Sequence, residues 1–292
     1  MKIKPHSGRK ILVTGATGFI GGAIANALQT HDLVTTVSRQ IGAGYGKDAL
    51  RHDLAEPMRD LPHLNGAAVI HCAAEIRAPD WESHWRGNVL ATRNILEWAV
   101  KHQARRFIMF STGSVYGFRN GWRMRETDSL APFGHYGYSK YIAEELCRIY
   151  AVMFKLPMVV FRLYFPFGPG QNAGMFRLIE NAFRSGSCLQ IRENGGPNIT
   201  PVHIDDVVQA VMLSLGNDFP EGIYNLCGDE DISFLDLVRK MEARLGTSAR
   251  KEFTSENAGD MLADNSRLRQ TGWAPQRTID SYLDQILSKE AQ

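Results

Sequence analysis

Short apolar runs, each closed by glycine or a small polar residue, recur through the first half of the chain. Ile11, Leu12 and Val13 form the first, flanked by charge and then by glycine, and predict a buried strand. Gly15, Gly18 and Gly21 follow at three-residue spacing, and Ile24, Ala27 and Leu28 then recur with a helical period. Residues 33–37 (LVTTV) predict a second strand ending at Ser38-Arg39, and residues 41–48 (IGAGYGKD) a glycine-rich loop. Residues 67–72 (AAVIHC) predict a third strand that runs into Ala73-Ala74. Residues 88–100 predict an amphipathic helix with Val89, Ile95, Leu96 and Ala99 on its apolar side. Residues 106–111 (RFIMFS) predict a fourth strand. Strands alternating with helices in units of this length imply an α/β fold with a doubly wound parallel sheet.

After residue 136 a long helical pattern continues to Phe154, with Pro132 and Gly134 punctuating its start. The pattern changes at Pro166, where residues 167–170 (FGPG) break any regular element. Residues 175–183 predict a helix, 193–197 a turn, and 202–215 a strand leading into a helix that starts at Asp205-Asp206. Residues 222–226 predict a strand and 233–245 a helix capped by Ser233. The expected organisation is a dinucleotide-binding domain over residues 1–165, completed by about 200–216, and a smaller substrate lobe over most of 166–292.

Composition narrows this picture without redirecting it. A chain of 292 residues with 44% hydrophobic content fits one globular domain with an added lobe. A net charge of +2 gives no global attraction to nucleic acid or to an anionic membrane, and neither is expected as a partner. No apolar run reaches the length of a membrane span. The basic start, MKIKPHSGRK, lacks an apolar core, so no signal peptide is expected. Cys72, Cys147, Cys188 and Cys227 are scattered and read as reduced core residues of a cytoplasmic protein.

The strand, glycine turn and helix at residues 11–28 predict a pyrophosphate site. Gly15 permits a turn closed to other residues, Gly18 lets backbone N–H groups approach the anion, and Gly21 lets helix and strand pack closely. The spacing is Gly-x-x-Gly-x-x-Gly, not the commoner Gly-x-Gly-x-x-Gly. At the end of the second strand, where an acidic residue would bond a ribose 2′-OH, the chain carries Ser38 and Arg39, which suit a 2′-phosphate. NADP is therefore the expected cofactor and NAD the alternative. The small Ala73 leaves room at a strand's carboxyl end. Tyr136 and Lys140 lie four apart on one helix face, so an ammonium stands near a phenol and lowers its pKa, helped by a positive nicotinamide. Thr112, at the end of the fourth strand, would hold the same substrate oxygen, and Ser114 would touch the substrate. His71 reads as a packed strand residue and not a catalyst. Arg119, Arg123 and Arg125 around Trp122 could hold an anion but read first as a solvated basic loop. His203 with Asp205 and Asp206 lacks converging ligands, and no metal is expected.

These residues together resemble the extended short-chain dehydrogenase/reductase family, the NAD-dependent epimerase/dehydratase group. The matching pieces are TGATGFIGG, VIHCAA, Asn88, STGSVYG, YGYSK, FRLYFPFGPGQ, PVHIDDVVQAV and DNSRLRQTGWAP, spanning residues 11 to about 275. The resemblance implies a Rossmann-type fold and catalysis by Thr112, Tyr136 and Lys140. It implies cofactor contacts from Gly15, Thr17, Gly18, Phe19, Ile20, Gly21, Arg39, Asp53, Leu54, Ala73, Asn88, Tyr136 and Lys140, with Asp53 and Leu54 on the adenine side. It also implies a small-molecule substrate and a homodimer. Gly113-Ser114 stands where similar dehydratases carry Asp-Glu, which argues against dehydration. Phe165, a candidate substrate contact, replaces an Asn, and Ile199 replaces an Arg, both of which usually hold a nucleotide diphosphate. Three readings follow: an epimerase, possibly of a nucleoside-diphosphate sugar; an NADPH-dependent carbonyl reductase on a small or anionic ketone; or a non-catalytic NADP-binding protein.

Overall fold

In a computed structural model of the chain, residues 8–40, 48–257 and 259–290 are described. The loop expected over residues 41–48 falls almost wholly outside them. Two compact units are present. The first gathers residues up to Val115 with Leu130–Arg162 and Val208–Tyr224; the second comprises Tyr116–Ser129, Leu163–Val207 and the chain from Asn225 onward.

A seven-stranded sheet is built from β1 (Lys10–Thr14), β2 (Leu33–Ser38), β3 (Asp48–Arg51), β4 (Ala68–His71), β5 (Arg106–Thr112), β6 (Met158–Leu163) and β7 (Gly222–Leu226). Their order across the sheet is β7-β6-β5-β4-β1-β2-β3. β1 pairs in parallel with β2 and β4, β2 with β3, and β4 with β5. Every residue of β4 and β5 is buried, as near-continuous apolar runs require when both faces of a sheet are covered. The chain leaves β1 toward β2 on one side and later returns on the other side through β4. That reversal between β1 and β4 opens a crevice at the strands' carboxyl ends, the place where open α/β sheets take ligands. The doubly wound, Rossmann-type class expected from the pattern is the one observed.

Helices α1 (Phe19–Leu28), α2 (Ala91–Lys101) and α3 (Gly134–Phe154) belong to this unit. Ile95, Leu96 and Trp98 of α2 join Ala143 and Cys147 of α3 in one core with Leu12, Val69, Phe107 and Met109. Under α3 the salt bridge between Arg162 and Glu144 is almost fully buried, with Arg162 Nη2 2.7 Å from Glu144 Oε2.

Two sequence expectations need correction here. The strand β6 was not anticipated, although Pro157 directly precedes residues 158–163 (MVVFRL) and marks its start. The helix expected over residues 88–100 starts earlier and differently: residues Trp85–Leu90 form a π-helical turn before α2. The N–H of Ala91 reaches back to the carbonyl of Arg86, five residues earlier. The Thr92 hydroxyl also bonds the Asn88 carbonyl at 2.6 Å, a back-bond that bends helices.

The second unit has its own core, in which Phe167, Phe176, Ile179, Leu189, Ile191, Ile199, Leu237, Val238, Tyr282 and Leu283 pack together. Its strand Leu189–Arg192, unanticipated, pairs in parallel with Lys251–Thr254. The cysteines depart from expectation in part. All four are free thiols, but only Cys147 and Cys227 are buried, while Cys72 is half-buried and Cys188 exposed.

Candidate active site

The glycine turn closes tightly on the sheet. Gly15 has φ +70°, and a Cβ there would lie 2.6 Å from the Ala73 nitrogen, so only glycine lets β1 and β4 approach at the switch point. A Cβ on Gly21 would lie 2.4 Å from the Gly15 carbonyl oxygen. Gly18 caps α1 without any side chain, and the first turn carries no acid. The positive end of this ten-residue helix is thus left to an external anion, and the cradle fits a dinucleotide's pyrophosphate. Thr17 is exposed, and Phe19 and Ile20 are half-buried along the same turn.

Arg39 is exposed beyond the end of β2, and its carbonyl accepts a bond from Arg51 Nε. Its guanidinium acts on Glu75, in the loop after β4. Burial opposes ionisation of Glu75, but hydrogen bonds from the Arg77 and Ala78 N–H groups and the charge of Arg39 hold its carboxyl below the ordinary value. Asp53 is exposed and accepts the Ala55 N–H at 3.0 Å. Leu54 turns into the core, and its carbonyl accepts from Asn94 Nδ2 at 2.9 Å.

Thr112 and Tyr136 come together in the first unit, with Lys140 four residues further along α3. Thr112 ends β5 nearly buried, and its hydroxyl hydrogen-bonds the Tyr136 side chain. Ser114 donates its N–H to Thr112 Oγ1 at 3.2 Å, and the two hydroxyls are also 3.2 Å apart. Gly137, one residue after Tyr136, lets α3 start against this turn, since a Cβ there would lie 3.1 Å from the Ser114 carbonyl. Lys140 is 1% exposed, with Cys147, Glu144 and Cys72 as its ionisable neighbours, and burial brings its ammonium down to about 8. The expectation that Lys140 draws the Tyr136 phenol downward is not met in the protein itself. Desolvation pushes the phenol up to about 12 against the opposing bond from Thr112. Burial of the phenol is the larger effect, and the charged or ionisable groups around Lys140 are Cys147, Glu144 and Cys72.

Asn88 is fully buried and does not lie open. Its Oδ1 accepts the Glu75 N–H at 2.7 Å, and its Nδ2 donates to the Glu75 carbonyl and to Ser139 Oγ, each at 2.8 Å. Ser139 donates in turn to the Tyr136 carbonyl at 2.9 Å. Ser139 and Glu75 escaped the sequence reading. Ser139 is three residues after Tyr136, and that helical spacing was the available signal.

Phe165 belongs to the second unit, where it packs half-buried against that unit's core with φ +38°, an unusual conformation for a bulky residue. Ile199 is wholly buried in the same core. The three loop arginines are tied to the protein. Arg119 donates to Ser129, Arg123 to the Ala263 carbonyl and Asp231, and Arg125 to Asp264. Asp206 accepts the N–H groups of Gln276 and Arg277, and His203 Nδ1 accepts the Asp205 N–H.

Three proteins of known description illustrate what the chain is similar to. An uncharacterized UDP-glucose epimerase of Bacillus subtilis is 29% identical over 89% of this chain and 91% of its own length. A dTDP-4-dehydro-6-deoxyglucose reductase of Escherichia coli is 24% identical over 95% of this chain and 96% of its own. The crystal structure of UDP-glucuronic acid 4-epimerase from Bacillus cereus, in complex with UDP-glucuronic acid and NAD, superposes with a TM-score of 0.86 at 26% identity, covering 97% of this chain and all of that one. Residues 11–227 match the profile of the NAD dependent epimerase/dehydratase family, so the chain is a member of that family.

Proposed function

We propose that this enzyme is a nucleoside-diphosphate-sugar epimerase, with Thr112, Tyr136 and Lys140 as its catalytic group. The observation that carries the reading is the hydrogen-bonded Thr112–Tyr136 pair, with buried Lys140 one turn further along α3. Similarity along the full length to a UDP-glucuronic acid 4-epimerase supports the substrate class. With its pyrophosphate on the glycine turn, a nicotinamide dinucleotide would supply reversible hydride acceptance from a carbon bearing a hydroxyl. Tyr136 takes the hydroxyl proton as the carbonyl forms and returns a proton when the hydroxyl is restored. Thr112 donates a hydrogen bond to the same oxygen and holds it in line. Lys140, one helical turn from Tyr136, is placed to add a positive charge that favours the phenolate. Epimerisation requires the keto sugar to present its other face before the hydroxyl is restored.

The experiment is incubation with UDP-glucose, UDP-glucuronic acid and dTDP-sugars, with products separated by chromatography. An epimerised sugar without net change in nicotinamide absorbance is the expected result. Steady NADPH oxidation with a keto sugar or another ketone would instead establish the reductase reading, which the Escherichia coli relative also suggests. Tyr136→Phe should lower turnover by about 10²–10⁴ while dinucleotide binding persists. Retained activity would refute the assignment.

For the cofactor we propose NADP, from the position of Arg39. The Bacillus cereus relative holds NAD, so the two dinucleotides must be compared directly. Arg39→Ala should weaken NADP binding and leave NAD binding nearly unchanged in a fluorescence titration; equal loss of both would count against a 2′-phosphate contact. We also propose a homodimer, from the exposed apolar end of α3, and a reducing, cytoplasmic setting, from the four free thiols.

A further inference from the structure

β1 ends on Thr14 and β4 on His71, and the two residues are partners in the parallel register. His71 is wholly buried, with its ring 6.0 Å from that of Phe107. Its Nδ1 lies 2.8 Å from Thr14 Oγ1 and its Nε2 3.0 Å from Thr92 Oγ1. One end of this chain decides the protonation of the ring. The single hydroxyl hydrogen of Thr92 is used on the Asn88 carbonyl, an acceptor only, so Thr92 can do no more than accept from His71. Nε2 therefore carries the hydrogen. Burial, with the Lys140 charge adding to it, holds the ring down to about 3, so it is neutral and Nδ1 keeps its lone pair. Thr14 donates to that lone pair and accepts the Ala73 N–H at 3.2 Å. The order runs one way: Ala73 N–H to Thr14, Thr14 to His71, His71 to Thr92, Thr92 to the Asn88 carbonyl.

We propose that His71 is a positioning residue that, as a fixed Nε2–H tautomer, joins the crevice ends of β1 and β4 to the π-turn bearing Asn88. That turn aims the Asn88 side chain at Glu75 on one side and at Ser139, beneath the Tyr136 carbonyl, on the other. Without the Thr92 hydroxyl the Asn88 carbonyl loses this hydrogen bond, and the turn that aims the Asn88 side chain loses its tie to His71. The role assigned to Tyr136 is the proposed one above; the tautomer and the local opening described next do not depend on it.

The test has three parts. Nitrogen-15 NMR of the histidine-labelled, unsubstituted protein at neutral pH should show His71 as the neutral Nε2–H tautomer; an Nδ1–H form or an imidazolium overturns the proposal. Thr92→Val keeps the shape and removes the hydroxyl. Amide hydrogen exchange of Glu75, whose N–H is held by Asn88, should quicken about tenfold in that variant, while amides of β5 hold their rates. Equal quickening of both, or no change at Glu75, overturns the proposal, since a general loss of stability moves both. With whichever UDP-sugar is turned over, Thr92→Val should lower kcat about tenfold or more at unchanged dinucleotide affinity, and Thr92→Ser should restore it. An equal loss in both variants would reject the hydroxyl as the cause. Failure of Tyr136→Phe to lower turnover defeats the catalytic assignment and leaves the first two readouts standing.

Discussion

Lys140 shows how a single burial reshapes a titration. Its ordinary value is near 10.5 and burial brings it to about 8. Between those limits the unfolded chain binds more protons than the folded one, so raising the pH through this window stabilises the fold. Tyr136 shifts the opposite way, from 10 up to about 12, so its effect begins only above pH 10 and lowers stability there. Thermal melts of the wild type relative to Lys140→Met should therefore show the wild type gaining from pH 8 to 10. A flat difference would mean that the ammonium is better solvated than its 1% exposure implies. The placing of Tyr136 and Lys140 one turn apart on α3 was legible from their spacing of four. The direction of the phenol's shift was not, because spacing does not count the protein atoms around an oxygen.

At the scale of the element, α1 combines a helix start that lacks a side-chain cap with an acid-free first turn. Gly18 has φ −85° and ψ 167°, extended geometry open to any residue, although a Cβ there would lie 3.3 Å from the Gly15 carbonyl oxygen. Asp is a better cap than Gly and favours the positive helix end by about 0.3–1 kcal/mol. The capping gain and the close approach to Gly15 oppose each other, so Gly18→Asp should change the melting temperature little and sharply weaken dinucleotide binding by placing a carboxylate where the pyrophosphate would sit. Calorimetry read alongside a melt separates the two effects, and undiminished binding would move the pyrophosphate elsewhere. The turn itself was readable from Gly15, Gly18 and Gly21. The π-turn at Trp85–Leu90 was not, since its Asn88 is tied to Glu75 and Ser139, residues distant in the chain.

Across the whole molecule, the exposed end of α3 is the feature that bears on assembly. Ile149, Val152, Met153 and Phe154 are 42%, 74%, 69% and 50% exposed on consecutive turns. Apolar groups clustered this way commonly mark a protein interface. Val152→Glu together with Met153→Lys should shift a dimer toward monomer in sedimentation velocity and leave the melting profile of the monomer intact. Unchanged sedimentation would place any dimer contact elsewhere. Among the described residues no helix is long and apolar enough to cross a membrane.

The linear order of residues was enough to establish the doubly wound class, the glycine turn between β1 and α1, and the placing of Tyr136 and Lys140 one turn apart on a helix. Each depends on local periodicity, and local periodicity survives without partners. Tertiary structure alone decided that the loop arginines are bound to the protein's own groups, that Leu54 and Ile199 lie in cores, and that Asn88 is a buried clasp fed by His71. Those outcomes turn on contacts between residues far apart in the chain, where a hydrogen bond's direction is set by what its partner has left to give.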